Sequence, residues 1–274
     1  MSSLDSASSS PRADIPHSAP PDPWQALRAH TAARIALGRA GGSLPTREVL
    51  DFRHAHARAR DAVHAHFDPE ELAASLRSLH PEVVTVNSAA PDRAHYLQRP
   101  DHGRQLSHAS REVLAALAPA HADSDLVIVV SDGLSTLATV RQVEPVLATL
   151  LPLLAEDGWK LAPIVIARHA RVALQDEIGA LFAARLSLML LGERPGLGSA
   201  DSLGAYFTYL PQPGKTDADR NCLSNIRPGG LAPIVAAGKL HALLSQSRKL
   251  GISGVSLKDD TVALPGSGAV ERIQ

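Results

Sequence analysis

The sequence predicts an α/β protein with a parallel-sheet C-terminal domain behind a mostly helical N-terminal region. Two observations predict it. First, three short apolar runs, LVIVV (126–130), PIVIA (163–167) and LSLMLL (186–191), end at Asp132-Gly133, Arg168-His169 and Gly192-Glu193. Unbroken apolar runs of this length mark strands covered on both faces. Second, helical stripes lie between them. One carries Leu137, Val140, Val143, Val146, Leu147, Leu150 and Leu154, and the next carries Val172, Ile178, Leu181 and Phe182. A β-α-β-α-β order at this spacing calls for parallel strands with right-handed crossovers.

The remaining elements follow in order. Residues 1–23 hold seven serines and five prolines and almost no large apolar residue, so they read as a flexible tail. Residues 24–42 are expected to be helical, burying Leu27, Ala32, Ile35 and Leu37 and ending at Gly41-Gly42. Thr46 is a candidate N-cap for a helix over 47–66. Short helices are expected at 70–78 and 110–118, with a strand at VVTVN (83–87) between them. The stretch 191–230 reads as a small-residue loop leaving the third strand, suited to a large, mostly apolar ligand. It carries Glu193, Arg194 and Pro195, two of the chain's three tyrosines (Tyr206 and Tyr209) and its only cysteine, Cys222. A long helix over about 230–249 follows, with Arg248 and Lys249 favouring its C-terminus and Gly251 stopping it. VSLK (255–258) is a candidate last strand.

Composition limits the function. A formal net charge of −1 and no basic face interleaved with aromatics argue against a nucleic-acid groove. One cysteine permits no internal disulfide and fits a reducing cytoplasm. The start, MSSLDSASSS, lacks the pattern of a secretory signal. The most apolar stretch, 146–155, contains Pro152, stops at Glu156 and is too short for a bilayer. A cytoplasmic protein with no membrane partner is expected.

Ligands of open parallel sheets bind beyond the carboxyl ends of the strands. That rule selects three loops: Ser131-Asp132-Gly133-Leu134-Ser135, Arg168-His169-Ala170-Arg171-Val172 and Gly192-Glu193-Arg194-Pro195-Gly196. The plainer reading is that Asp132 and Ser135 cap a helix and Glu193 pairs with Arg194 or Arg168. The dinucleotide fingerprint, the phosphate loop and the GxSxG elbow are all absent. His54, His56, His64 and His66 fall at HxH spacing, which points side chains to nearly opposite sides of a helix, so no metal site is expected from them. His169, at a strand end, is the better functional candidate among the histidines, with a hydrogen-bonding wall as its preferred reading. Cys222 could be a nucleophile, a buried packing residue or part of a ligand wall.

Val130-Ser131-Asp132-Gly133-Leu134-Ser135, Gly192-Glu193-Arg194-Pro195-Gly196-Leu197-Gly198 and Asp219-Arg220-Asn221-Cys222-Leu223-Ser224-Asn225-Ile226 together resemble the small subunit of adenosylcobalamin-dependent ethanolamine ammonia-lyase. Supporting pieces are Ala33-Arg34-Ile35, Gly38-Arg39-Ala40-Gly41, LQRPDHGR (97–104) and Ser253-Gly254-Val255-Ser256. The likeness spans roughly residues 25–258. It implies a lyase that converts ethanolamine to acetaldehyde and ammonia, with adenosylcobalamin as cofactor. It further implies a large-subunit partner that holds the substrate, in a hetero-oligomer of six plus six subunits. By resemblance Val172, Glu193 and Cys222 are the cofactor-binding residues, with no catalytic or metal-ligating residue in this chain. The family often has Gly-Arg-Val where this chain has Ala170-Arg171-Val172. The histidine motif Asp-x-His-x-x-Gly is absent, so the resemblance implies that a bound cobalamin keeps its own base.

The implied organisation is a tail (1–23), a mostly helical region (24–120), a Rossmann-like, cobalamin-contacting domain (121–258) and a C-terminal tail (259–274). Enclosure in a bacterial microcompartment is a family property. The rival readings are a free-standing nucleotide- or small-molecule-binding α/β module and a cysteine-dependent hydrolase.

Overall fold

The computed structural model describes residues 22–39 and 41–258. The expected tails, all but their innermost residues, and Ala40 lie outside the described residues. Two compact units divide between His56 and Ala57. The first contains a 3-10 turn, Gln25–Ala29, and the start of helix α1 (Thr46–His64). The helix expected over 24–42 is absent. Thr31 Oγ1 accepts the backbone N–H of Ala33, a local bond that competes with helix. Ala36 and Gly38 then adopt left-handed φ values of 50° and 73°. Leu27 and Ala32 are exposed, while Ile35 and Leu37 are half-buried.

The second unit is built on one six-stranded mixed sheet with the order β1-β3-β2-β4-β5-β6. Its strands are β1 (Val83–Asn87), β2 (Leu126–Ser131), β3 (Ile164–Arg168), β4 (Leu186–Gly192), β5 (Leu203–Tyr209) and β6 (Arg220–Ile226). The first four run parallel, as the apolar runs predict. Every residue of β2 and β4 is buried, which is why neither run alternates. The stretch 191–230 departs from the expected loop. It forms β5 and β6, which extend the sheet antiparallel. LGAYFTY does alternate, but the glycines and polar residues around it mask the period. VSLK forms a 3-10 turn, Gly254–Ser256, instead of a strand. Asn221 Nδ2 donates to the carbonyls of Gly254 and Leu257, and its Oδ1 accepts from Gly254 N, in place of a ladder.

Helices cover both faces. On one face, α2 (Pro69–Leu76), α5 (Thr136–Glu156) and α7 (Pro233–Leu250) pack on Ile128, Val130, Leu188 and Phe207. On the other, α4 (His108–Leu117) and α6 (Leu174–Leu181) pack on Val127, Val129, Val165 and Met189. Alternating residues of one strand therefore serve two cores. The chain punctuates these helices itself. Asp68, Asp92 and Ser107 accept N-terminal N–H groups of α2, α3 (Arg93–Gln98) and α4. Gly251 ends α7 at φ 71°. By length and composition α5 could cross a bilayer, extending well beyond 146–155, but half of its apolar window is buried within the protein.

Candidate functional site

The connection after β2 leads to α5 on one face, and the connection after β3 leads to α6 on the other. Such a divergence between neighbouring parallel strands opens a crevice at their carboxyl ends. Here protein fills it. Asp132 is 1% exposed and receives Arg93 Nη1 at 2.8 Å, the backbone N–H of His169 at 2.7 Å and Ser131 Oγ at 3.1 Å. Arg93 comes from α3 and also donates to the carbonyls of Gly133 and Val63. Asp132 is thus a buried organiser of the crevice and not a helix cap. Ser135 is the cap, accepting Ala138 N and donating to Ala200 O.

His169 belongs to the same network. Its backbone is left-handed, its carbonyl accepts from Ser88 Oγ, and its ring stacks on Tyr96 with centroids 5.8 Å apart. Burial pushes the imidazole below its ordinary pKa, with the nearby Asp132 carboxylate opposing.

The open space lies one strand further along, beside β4 and β5. A cleft of about 410 Å³ has apolar walls from Leu134, Val172 and Leu191. Tyr206 adds an aromatic face, Tyr96 lies fully buried beneath the wall, and Glu193, Arg171 and Arg194 add charge. Two glycines let the loops meet there. A Cβ on Gly192 would lie 1.9 Å from the Ser135 carbonyl oxygen, and one on Gly133 would lie 2.3 Å from that of Gly192. Leu134 N instead donates to Gly192 O at 2.8 Å.

Glu193 is held by β5 and β6, not by Arg194 or Arg168. Its Oε2 accepts Ser202 Oγ at 2.5 Å and Asn225 N at 3.1 Å. Asn225 sits in a β-bulge. Leu203 pairs with Ile226 and Ala205 with Leu223, so two residues of β6 oppose Gly204 alone. Asn225 takes a left-handed φ of 58°, and the bulge aims its N–H at the carboxylate. A Cβ on Gly204 would come within 3.1 Å of Glu193 Cγ, so the glycine makes room for this side chain.

Cys222 pairs across the strands with Tyr206. Burial raises the thiol pKa, with the Tyr206 hydroxyl opposing and Glu193 adding to the rise. Burial likewise raises the Tyr206 hydroxyl. A thiol whose pKa is raised is a poor nucleophile. Val172 and Glu193 therefore line one cleft, and Cys222 joins them through Tyr206. The sequence places Arg171 and Leu134 in these loops without marking a role for either, and it does not single out Tyr96. The signal for Tyr96 was its position next to the LQRPDHGR segment.

A larger hollow of about 690 Å³ lies between α4, α6 and the 213–215 turn. None of the expected site residues lines it. Its carboxylates are already paired, Glu177 with Arg111 of the same lining and Asp176 with the buried Arg220, so the smaller cleft is the better candidate.

Comparison with known proteins agrees with the resemblance. A family model described as ethanolamine ammonia-lyase light chain (EutC) matches residues 21–258. The ethanolamine ammonia-lyase small subunit of Pseudomonas fluorescens is 52% identical over 242 residues, covering 88% of each chain. That of Ralstonia nicotianae is 51% identical over 249 residues, covering 90% of this chain and 92% of its own. That of Azotobacter vinelandii is 51% identical over 254 residues, covering 90% and 93%. A match over nearly the whole described chain, at this identity, means that the chain belongs to the ethanolamine ammonia-lyase light-chain family.

Proposed function

We propose that this chain forms one wall of the adenosylcobalamin site of ethanolamine ammonia-lyase, at its interface with the large subunit. The observation that carries the reading is the convergence of Val172, Glu193 and, through Tyr206, Cys222 on one cleft. The lining fits a corrinoid. Leu134, Val172 and Leu191 suit its apolar body, and a fixed carboxylate suits the N–H groups of its amide arms. When bound, the cofactor supplies the radical chemistry of the deamination. This chain's residues bind and orient it. Ser202 and the Asn225 N–H hold Glu193 as a fixed acceptor. Tyr206, the cross-strand neighbour of Cys222, sets that residue beside the cleft. As a member of the family the chain is a subunit of a carbon–nitrogen lyase. No acid or base for the rearrangement is required of it.

We read β2-α5-β3-α6-β4 as a Rossmann-like half, with β5 and β6 as the addition that builds the cofactor wall. The partner is the large subunit, which the small-subunit name of the relatives entails, and the expected assembly of six plus six would work in the cytoplasm. Co-expression with the large subunit tests the reading. A stable complex should form, bind adenosylcobalamin and deaminate ethanolamine only when both chains are present. Cys222→Ala should weaken cofactor binding and leave activity recoverable at high cofactor concentration. Full activity of either chain alone would overturn the proposal.

A further inference from the structure

The LQRPDHGR segment does not line the cleft, yet it packs behind Arg171, which does. Gly103 O accepts the backbone N–H of Arg171 at 2.7 Å. A Cβ on Gly103 would lie 2.8 Å from Arg171 Cγ and 3.1 Å from the Tyr96 ring, so only glycine lets the segment close against both. Arg171 is then fixed on three sides. Its main chain is tied to Gly103, its Nη2 donates to Tyr96 O at 3.1 Å, and its guanidinium carbon sits 4.2 Å from the centroid of the Tyr96 ring. Tyr96 is locked in turn by full burial and by its hydroxyl donating to Ala170 O.

One polar atom of this clamp is left over. Arg171 Nε is buried and has no hydrogen-bond partner. Buried donors are nearly always paired, and this exception belongs to a residue that lines the cleft, where a ligand can supply the acceptor. The neighbouring fixed group, Glu193, offers only acceptor oxygens. A cleft with one fixed donor and one fixed acceptor is complementary to a primary carboxamide, which presents a carbonyl oxygen and an NH₂ group.

We propose that Arg171 is a further cofactor-binding residue. Its Nε donates to an amide carbonyl of the corrinoid's side arms, while Glu193 takes amide N–H. Gly103 and Tyr96 are the positioning residues that hold Arg171 for this. The inference rests on the reading of the cleft as a cobalamin wall.

The test uses the reconstituted complex of both subunits and measures the Kd of cyanocobalamin by equilibrium dialysis, which needs no turnover. Arg171→Met keeps the stem over Tyr96 and removes every donor. It should raise Kd by roughly 10-fold or more, the scale of a charge-assisted hydrogen bond, while the melting temperature of the cofactor-free complex reports separately the lost bond to Tyr96 O. Arg171→Lys keeps the charge but not the Nε position and should be nearly as weak. Gly103→Ala, with the guanidinium intact but displaced, should fall between. Should Arg171→Met fail to assemble, Arg171→Lys carries the same comparison. An unchanged Kd in the folded Met or Lys variant would overturn the role of Arg171 and leave the cobalamin wall standing. Failure of the wild-type complex to bind cyanocobalamin would overturn both.

Discussion

Arg93 Nη1 lies 2.8 Å from Asp132 Oδ2, and this pair occupies the crevice where an open parallel sheet ordinarily takes its ligand. The Asp132 side chain is 1% exposed and that of Arg93 19%. Removing one member strands a charge in a site with little water. Arg93→Met should therefore destabilise the protein by about 3–5 kcal/mol. The double variant Arg93→Met/Asp132→Asn should recover part of that loss. Urea unfolding of the four proteins in the cycle measures it, and additive losses would refute the coupling.

The same network makes stability depend on acid. Burial holds the His169 imidazole below its ordinary pKa, against the pull of Asp132, with Arg93 and Arg168 lowering it further. The unfolded chain then binds the proton more readily than the folded one. The contribution of His169 is complete above about pH 6.5 and is lost as pH falls through the folded value. His169→Asn suits the left-handed backbone at this position and should flatten the dependence of the urea midpoint between pH 7 and pH 5. An equally steep dependence in the variant would show that other groups carry it.

Cys222 is exposed on its strand, yet its thiol pKa is raised, chiefly by desolvation. Alkylation by iodoacetamide should be slow at pH 8 and should rise only at higher pH than for a free thiol. Tyr206→Phe removes the hydroxyl that lowers this pKa. It should shift the rate profile further to alkaline pH. A faster reaction in the variant at pH 8 would mean that Tyr206 shields the sulfur and does not stabilise its anion.

Two glycines of one motif should behave oppositely. A methyl group on Gly192 has a carbonyl oxygen 1.9 Å away, whereas Gly198 has nothing within 4 Å. Gly192→Ala should cost about 3 kcal/mol or more, since backbone on both sides must move. Gly198→Ala should stay within about 0.5 kcal/mol. Thermal unfolding of the two variants settles the contrast. Equal melting temperatures would refute the close packing of the β2 and β4 turns.

How far the sequence reveals this molecule depends on which force dominates locally. Leu126–Val130 and Leu186–Leu191 are buried on both faces, so their apolar character alone identifies them. Val83–Asn87 is legible for the same β-branched reason, and its bounds are as expected. Leu203–Tyr209 and Arg220–Ile226 are harder. The first follows a glycine- and serine-containing stretch, and the second carries Arg220 and Asn221, which reach the sequence-distant Asp176 and Gly254. Residues 24–42 mislead in the other direction, because helical propensity loses to the Thr31 side chain and to two left-handed residues. At the site, Val172 and Glu193 are legible as strand-end residues. The route by which Cys222 joins them is not, since it runs through the pairing of β5 with β6. Nothing local to Arg171 announces that its Nε lacks a partner.

The bulge at Asn225 is in effect one residue too many. Without it, Leu223 and Ile226 would point to opposite sides, and instead both reach the same core as Leu203 and Ala205. Shortening β6 by one residue there would restore unbroken alternation and a more regular ladder. It would also turn the Asn225 N–H away from Glu193 and change which side chains beyond it face inward. In a library of single-residue deletions across 203–226, the variants that look most ideal as β-sheet should therefore be among those least able to keep this carboxylate in place.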